Sequence, residues 1–271
     1  MSGPEMCGIA GILRYDGKPV DCADIKVMTD DIAHRGPDGE GQWCEGSVGL
    51  GHRRLAIIDL SEAAAQPMQS RDGQYMISYN GEVYNYRELR RELEMSGSRF
   101  ISQSDTEVIL EAVIRWGIDA AIRRFNGMFA FAIWDRRNRR LLLGRDRYGI
   151  KPLYIWQGKN HVAFASEPKA FRRLPDFAPI LDAEGLAEYF TFQNILSDRT
   201  FLRSVSVFPP GNWAEVSPEN CALRVFKYWE FNFHEPSHPG SDPEYAEEFG
   251  RLLKKAVNRQ LVSDVEVGSF L

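Results

Sequence analysis

No apolar run in this 271-residue chain approaches the length needed to cross a bilayer; Met128 to Trp134 is among the longest. The opening Met1-Ser2-Gly3-Pro4-Glu5 lacks both the basic start and the apolar stretch of a secretory signal. Cysteine is scarce: Cys7, Cys22, Cys44 and Cys221 include no Cys-x-x-Cys pair, so the usual zinc-ligand spacing is missing. There is no Gly-x-Gly-x-x-Gly phosphate loop and no internal repeat. Positive charge is not in excess either. A net charge of -5 and a pI near 5.7 leave no electrostatic footprint for nucleic acid. Four thiols without an export signal read as reduced cysteines of a cytoplasmic protein, with packing or surface roles for Cys22, Cys44 and Cys221. What remains is a soluble chain, 44% hydrophobic and 26% charged, long enough for one large domain or one domain plus part of another.

The chain alternates strand and helix signals. Ile9 to Tyr15 is a short apolar strand ending at the turn pair Asp16-Gly17. Asp21 is placed to cap a helix with Ile25, Met28 and Ile32 on one face, stopping before Gly36-Pro37. Val48 to Asp59 and Tyr75 to Tyr79 read as strands, and Asn80-Gly81 as a tight turn into Glu82-Val83-Tyr84. Asn85 caps a helix carrying Tyr86, Leu89 and Leu93, which stops at Gly97. Ser104-Asp105-Thr106-Glu107 is a capping box for a helix with Ile109, Ala112, Val113 and Trp116 on one face, ended by Gly117.

Further on, Phe129 to Trp134 and Leu141 to Gly144 read as strands joined by the turn Asp135 to Asn138. Leu153 to Trp156 and His161 to Ala165 read as a second antiparallel pair. Hairpins interrupted by blocks of helix predict an α+β layered sandwich rather than a parallel doubly wound fold. A proline-rich polar stretch, His234 to Pro243, reads as a linker. After it an amphipathic helix with Tyr245, Phe249, Leu252 and Leu253 runs to about Leu261, and Val262 to Leu271 reads as a strand. One helix and one strand cannot bury a core of their own, so this tail is expected to begin a larger unit.

Cys7 stands in the run Met6-Cys7-Gly8-Ile9-Ala10-Gly11-Ile12, close to the chain start. A cysteine that begins a mature protein carries a thiol and a free α-amine on one residue. That amine, with a pKa near ~8, can take the thiol proton and free a thiolate for attack on a carbonyl. Such chemistry needs residues 1–6 to be absent. Met6 is therefore expected to be the physiological start, with residues 1–5 a remnant upstream of it.

Seven motifs follow in order: Met6 to Ile12, His34-Arg35-Gly36-Pro37-Asp38, His52 to Asp59, Tyr79 to Asn85, Ser104 to Glu107, Phe125 to Phe131 and Gly144 to Tyr154. Together they resemble the glutaminase domain of the glutamine-dependent asparagine synthetases, class II glutamine amidotransferases of the N-terminal-nucleophile hydrolase fold. The likeness runs from Met6 to about Trp229, and Ser263 to Leu271 resembles the strand leading to the synthetase's ATP loop. Amidotransferases that make amino sugars or phosphoribosylamine usually carry a different context around the arginine. Here Arg54 is followed by Leu-Ala-Ile-Ile-Asp and Asn80 follows Tyr79, which favours the asparagine-synthetase branch.

The resemblance implies a four-layer αββα sandwich of antiparallel sheets. It implies a glutaminase domain over 7–232, a linker over 233–243 and the start of an ATP-binding domain over 244–271, with Leu271 at its ATP edge. It makes Cys7 the nucleophile, with its α-amine as base. The Asn80 amide and the Gly81 N–H become the oxyanion hole, presented by the Asn-Gly turn. Arg54 would bind the α-carboxylate of glutamine, and Asp105 with Glu82 or the Gly81 backbone its α-ammonium, while backbone groups of Ile57 and Ile58 complete the pocket. No cofactor or metal is implied for the glutaminase; ATP and magnesium belong to the full-length synthetase. The partners implied are glutamine and the missing synthetase domain, with a homodimer as one open assembly and neither nucleic acid nor membrane. Two rivals remain: an amide-forming enzyme with another acceptor, and a catalytically silent scaffold if the nitrogen of Cys7 stays acylated. For His34 to Asp38 and Arg145-Asp146 loop ordering or domain contact is expected, with no chemistry of their own.

Overall fold

A computed structural model describes residues 6–233, 240–266 and 268. In chain order the first elements are β1 (Gly8–Arg14), α1 (Cys22–Asp31), β2 (Gly39–Glu45), β3 (Val48–Arg54), β4 (Met68–Gln69) and β5 (Tyr75–Val83). Three helices follow, α2 (Tyr86–Met95), α3 (Asp105–Trp116) and α4 (Ile118–Arg124). Next come β6 (Gly127–Asp135), β7 (Arg140–Arg145), β8 (Tyr154–Gln157) and β9 (His161–Ala165). The remainder is α5 (Ala183–Phe192), β10 (Val205–Val207), β11 (Asn212–Val216), β12 (Arg224–Lys227) and α6 (Asp242–Gln260).

Side-chain alternation along the strands makes the layers. Ile9 and Leu13 of β1 point into the space between two sheets, while Ala10 and Ile12 point the other way, toward Ile25, Met28 and Ile32. On β6 the same rule sends Ala130, Ala132 and Trp134 between the sheets and Phe129, Phe131 and Ile133 against α2, α3 and α4. The sheets have the orders β10-β8-β9-β1-β3-β2 and β12-β11-β7-β6-β5-β4, and every ladder within them is antiparallel. Helix, sheet, sheet, helix is the αββα sandwich that the resemblance implied.

Several local expectations are corrected. Asn80-Gly81 is not a turn: β5 runs straight through it, with Asn80 opposite Ala130 and Gly81 opposite Phe129. Long-range pairing with β6 outweighs the local turn preference of Asn-Gly. Gly81 is required there for another reason, because a Cβ would lie 2.2 Å from the Met128 carbonyl oxygen. The strand predicted over 48–59 stops at Arg54, whose guanidinium turns back onto the carbonyls of Asp59 and Ser61 and folds the following residues into a loop. Helix α4, directly after Gly117, carries no cap that sequence reading recognised.

Cys22 and Cys44, expected as separate thiols, form a disulfide, because α1 packs beside β2 with their Cα atoms 6.0 Å apart. Cys221 is free and exposed. Asp21 caps α1 through the Ala23 N–H as expected. Ser104 caps α3, but Glu107 does not return the bond; its carboxylate accepts instead from the Ile101 and Ser102 N–H groups. Asn85 bridges to Arg124 and Asn126 rather than capping α2. The Pro-rich linker falls largely on residues 234–239, outside the described residues. No strand forms over 262–266, and residues 267 and 269–271, including Leu271, lie outside the described residues. Helix α6 starts with a complete Ser241–Glu244 capping box, and its apolar residues Phe249 and Leu253 are exposed.

Phe164 fills the space between the sheets and is fully buried. Phe164→Ala is expected to lower the unfolding free energy by about 3–5 kcal/mol in urea denaturation. Phe190→Ala, on an exposed face of α5, should change it by less than about 1 kcal/mol. Equal effects would mean that the inter-sheet layer is not the core.

Candidate active site

The start of β1 carries Cys7 to the mouth of a cleft of about 530 Å³, counting its open side. Ser166, just past β9, grips the strand: Ile9 N donates to its hydroxyl at 2.9 Å, and its own N–H donates to Ile9 O at 2.9 Å. Arg35, in the short turn after α1, holds the backbone at the cysteine itself. Its Nε donates to Cys7 O at 3.0 Å, its Nη1 to Glu167 at 3.0 Å, and its carbonyl accepts from Met6 N at 2.8 Å. The His-Arg-Gly-Pro-Asp motif thus orders the backbone at Cys7. The Cys7 thiol donates to Leu55 O at 3.4 Å and accepts from Leu55 N at 3.3 Å. Burial pushes this thiol up; the Leu55 N–H and the charges of Lys151 and Arg54 pull it back, and Asp105 adds to the rise.

Strand β5 forms the cleft's second wall. Phe129 on β6 directs both its N–H and its C=O at Asp146, through Phe129 N to Oδ2 at 3.1 Å and Asp146 N to Phe129 O at 2.8 Å. Its β5 partner, Gly81, therefore turns its own N–H away from β6, to the bare edge of the sheet. Along that edge Tyr79 N donates to Gln66 Oε1 at 2.7 Å and Val83 N to Asp105 Oδ2 at 2.9 Å. The Gly81 N–H stands between them. Asn80 is 1% exposed, and neither atom of its side-chain amide has a partner among the described residues. Buried amides are nearly always satisfied, and this one lines the cleft with its hydrogen-bonding capacity unspent.

Opposite charges line the rest. Arg54 ends β3, with two nitrogens already on the Asp59 and Ser61 carbonyls. Asp105 opens α3, 4% exposed, and accepts from the Tyr79 hydroxyl at 2.7 Å as well as from Val83 N. Burial nevertheless pushes its carboxyl up to about 6. Glu82 is raised too, by burial and then by the Asp105 charge.

Cys7, Arg54, Ile57, Ile58, Asn80, Gly81, Glu82 and Asp105, all named from the sequence, line this one cleft. The Ile57 carbonyl is occupied, however, by the N–H of Asp264 at 3.0 Å, and Asp264 Oδ2 also accepts from Asp59 N at 2.8 Å. The segment after α6 therefore straps the loop that holds Arg54. Sequence reasoning missed this strap, and it missed Lys151, Gln66 and Thr106 as cleft residues. Lys151 stood inside a quoted motif, and a lysine among Gly, Ile and Pro was the available signal. Among the described residues no group of acidic, His or Cys side chains is arranged to hold a metal ion. No helix among them is long and apolar enough to cross a membrane.

Residues 6–229 match the family described as "Glutamine amidotransferase domain". The chain belongs to the glutamine amidotransferase family. It is 36% identical over 270 residues to asparagine synthetase [glutamine-hydrolyzing] 3 of Bacillus subtilis, across 98% of this chain and 43% of that relative. A putative asparagine synthetase [glutamine-hydrolyzing] 2 of Methanocaldococcus jannaschii is 34% identical over 98% of this chain and 54% of its own length. The chain thus spans about half, or less, of these relatives. Among solved structures, glutamine phosphoribosylpyrophosphate amidotransferase from B. subtilis matches 82% of this chain and 49% of its own at a TM-score of 0.61 and 19% identity, a likeness of fold.

The pH dependence of the Asp105 environment can be checked. Its pKa is raised from 3.8 to about 6 on folding. The protonated form is thus favoured in the folded state, and the stability it contributes is complete below about pH 4 and lost as pH rises through about 6. The amidotransferase domain should lose roughly 2–3 kcal/mol across that window, and Asp105→Asn should lack this loss in urea titrations. Parallel profiles for the two proteins would refute the assignment. For the strap, Asp264→Ala should speed hydrogen exchange at the Asp59 amide by about tenfold or more; unchanged exchange would show that the strap holds nothing.

Proposed function

We propose that this domain hydrolyses glutamine to glutamate and ammonia, with Cys7 as the nucleophile. The observation that carries the reading is the pairing of a cleft-facing thiol with an unsatisfied buried amide, Asn80, and the edge-facing Gly81 N–H. The Cys7 sulfur bonds to the side-chain amide carbon, and the carbonyl oxygen takes up the developing charge. The Asn80 Nδ2–H and Gly81 N–H are the donors suited to that oxygen. The C–N bond breaks as the nitrogen takes the proton lost by the thiol, ammonia leaves, and water cleaves the γ-glutamyl thioester to glutamate and free thiol. In the form that begins at Cys7 its α-amine carries that proton between sulfur and nitrogen. Arg54 is suited to the α-carboxylate, and Asp105 with Glu82 to the α-ammonium, whose charge relieves their mutual repulsion. The Ile57 and Ile58 loop closes the pocket wall.

In a longer protein the ammonia would serve an amide synthesis. The relatives' names favour aspartate as the acceptor, activated with ATP and magnesium in a domain that residues 244–271 begin and residues 233–243 link to the glutaminase at 7–232.

Ammonia release from glutamine, with N-terminal sequencing of the active species, tests the reading. Active protein should begin at Cys7. Cys7→Ala should abolish release, and Asn80→Ala should lower kcat by about 10²–10³-fold. Arg54→Ala should act chiefly on KM. Activity retained in Cys7→Ala, or full activity with residues 1–6 attached, would sink the mechanism.

A further inference from the structure

The loop after β7, from Asp146 to Lys151, is held far more firmly than a connection between strands requires. Asp146 is completely buried, and its carboxylate accepts from the N–H groups of Phe129, Tyr148, Ile150 and Lys151 at 3.0–3.1 Å. Arg145 grips the same loop from the other side, with Nε on Lys151 O at 2.8 Å and Nη2 on Gly149 O at 2.7 Å. Both residues act on the backbone of Lys151. The product of this bracing is one side chain: Lys151 is 5% exposed and lines the same cleft as Cys7.

A buried ammonium normally has a carboxylate beside it. Lys151 has none within 4.0 Å among the described residues; its Nζ meets only the thioether of Met6 at 3.2 Å, a weak acceptor. Met6 directly precedes Cys7, and Lys151 and Cys7 line the same cleft; in the form that begins at Cys7 the ammonium loses even that thioether. We infer that Lys151 supplies the positive charge that stabilises Cys7 as a thiolate during attack on the amide carbon. The inference rests on the glutaminase reading and adds a residue to it. Lys151 keeps its own proton throughout. The proton that leaves the thiol goes to the α-amine or to water, and then to the departing nitrogen as the C–N bond breaks. The coupling runs both ways: burial lowers Lys151, while Glu82 and Cys7 hold it up.

The charged and titratable groups sharing the cleft or touching Cys7 are Lys151, Arg54, Arg35, Asp105, Glu82 and Tyr79. Arg35 is committed to the Cys7 carbonyl and Glu167, and Arg54 to loop carbonyls. Lys151 is the cation of the set with no such commitment.

The test is the pH dependence of Cys7 alkylation by iodoacetamide, read as mass gain on the Cys7 peptide between about pH 6 and 10. Lys151→Met should move the midpoint up by at least about one unit, with Lys151→Arg remaining near the parent. For glutamine, kcat should fall by about tenfold or more with KM within about twofold. A Lys151→Met midpoint within about 0.3 unit of the parent, with an unchanged melting temperature, overturns the inference. Should Lys151→Met fail to fold, Cys7→Ala answers the same question from the other partner: the Lys151 ammonium, followed by nitrogen NMR, should titrate at lower pH than in the parent. Equal titration overturns the inference. Alkylation needs no glutamine. A shifted midpoint in a protein that begins at Cys7 and releases no ammonia therefore supports the role of Lys151 and refutes the glutaminase reading.

Discussion

The bare edge of β5 is the constraint on which the site depends. Strand β4 pairs with β5 only at Met76 and Ile77, so the outward N–H groups beyond that point need other partners. Gln66 reaches in for Tyr79, and Asp105 reaches in from the end of α3 for Val83. Each of these bonds places a polar side chain in the cleft. The Gly81 donor between them lies where a carbonyl oxygen can meet it, and the buried Asn80 amide is left free. A β4 longer by a few residues would cover this edge and leave no site. The polar lining of this cleft is the by-product of a sheet edge that must satisfy its backbone.

The second organising element is buried charge. Asp146, Arg145, Arg35 and Lys151 are all buried, and the first three each hydrogen-bond backbone groups of Cys7, Phe129 or Lys151. Buried ionic groups are costly, and they persist where they hold a geometry that apolar packing cannot specify. The motifs His34 to Asp38 and Gly144 to Tyr154 both resolve into such supports. They act on the backbone at Cys7 and on the loop facing it. The strap from Asp264 adds a third support, which ties the loop holding Arg54 to the chain beyond α6.

Much of this was legible in the residues. The apolar runs of β1, β6 and β7 are strong enough to identify them as strands, and the α1 and α3 caps stand where their side chains can reach the first turn. The pocket residues from Arg54 to Asp105 were legible through motif order. What failed was local preference set against distant pairing. Asn-Gly favours a hairpin turn in isolation, yet nine residues of β5 bond to β6 without a break. Cys22 and Cys44 look like unrelated thiols until α1 is laid along β2. The region from 55 to 59 is apolar enough for a strand, but Arg54 holds it as a loop from 59 and 61.

Residue type and spacing alone determined the helices α1, α2, α3 and α6, the strands β6 to β9, and which side chains could carry thiol and charge chemistry. Those properties depend on neighbours a few residues away. Tertiary structure decided which donors remain unpaired, which cation shares the cleft with Cys7, and which carboxyl is raised by burial. Satisfaction and desolvation depend on groups brought from distant parts of the chain: Leu55 onto Cys7, Asp146 onto Phe129, Asp264 onto Asp59. The chain's order alone does not specify those meetings. They follow from packing two twisted sheets face to face, with the bare edge of one beside the first strand of the other.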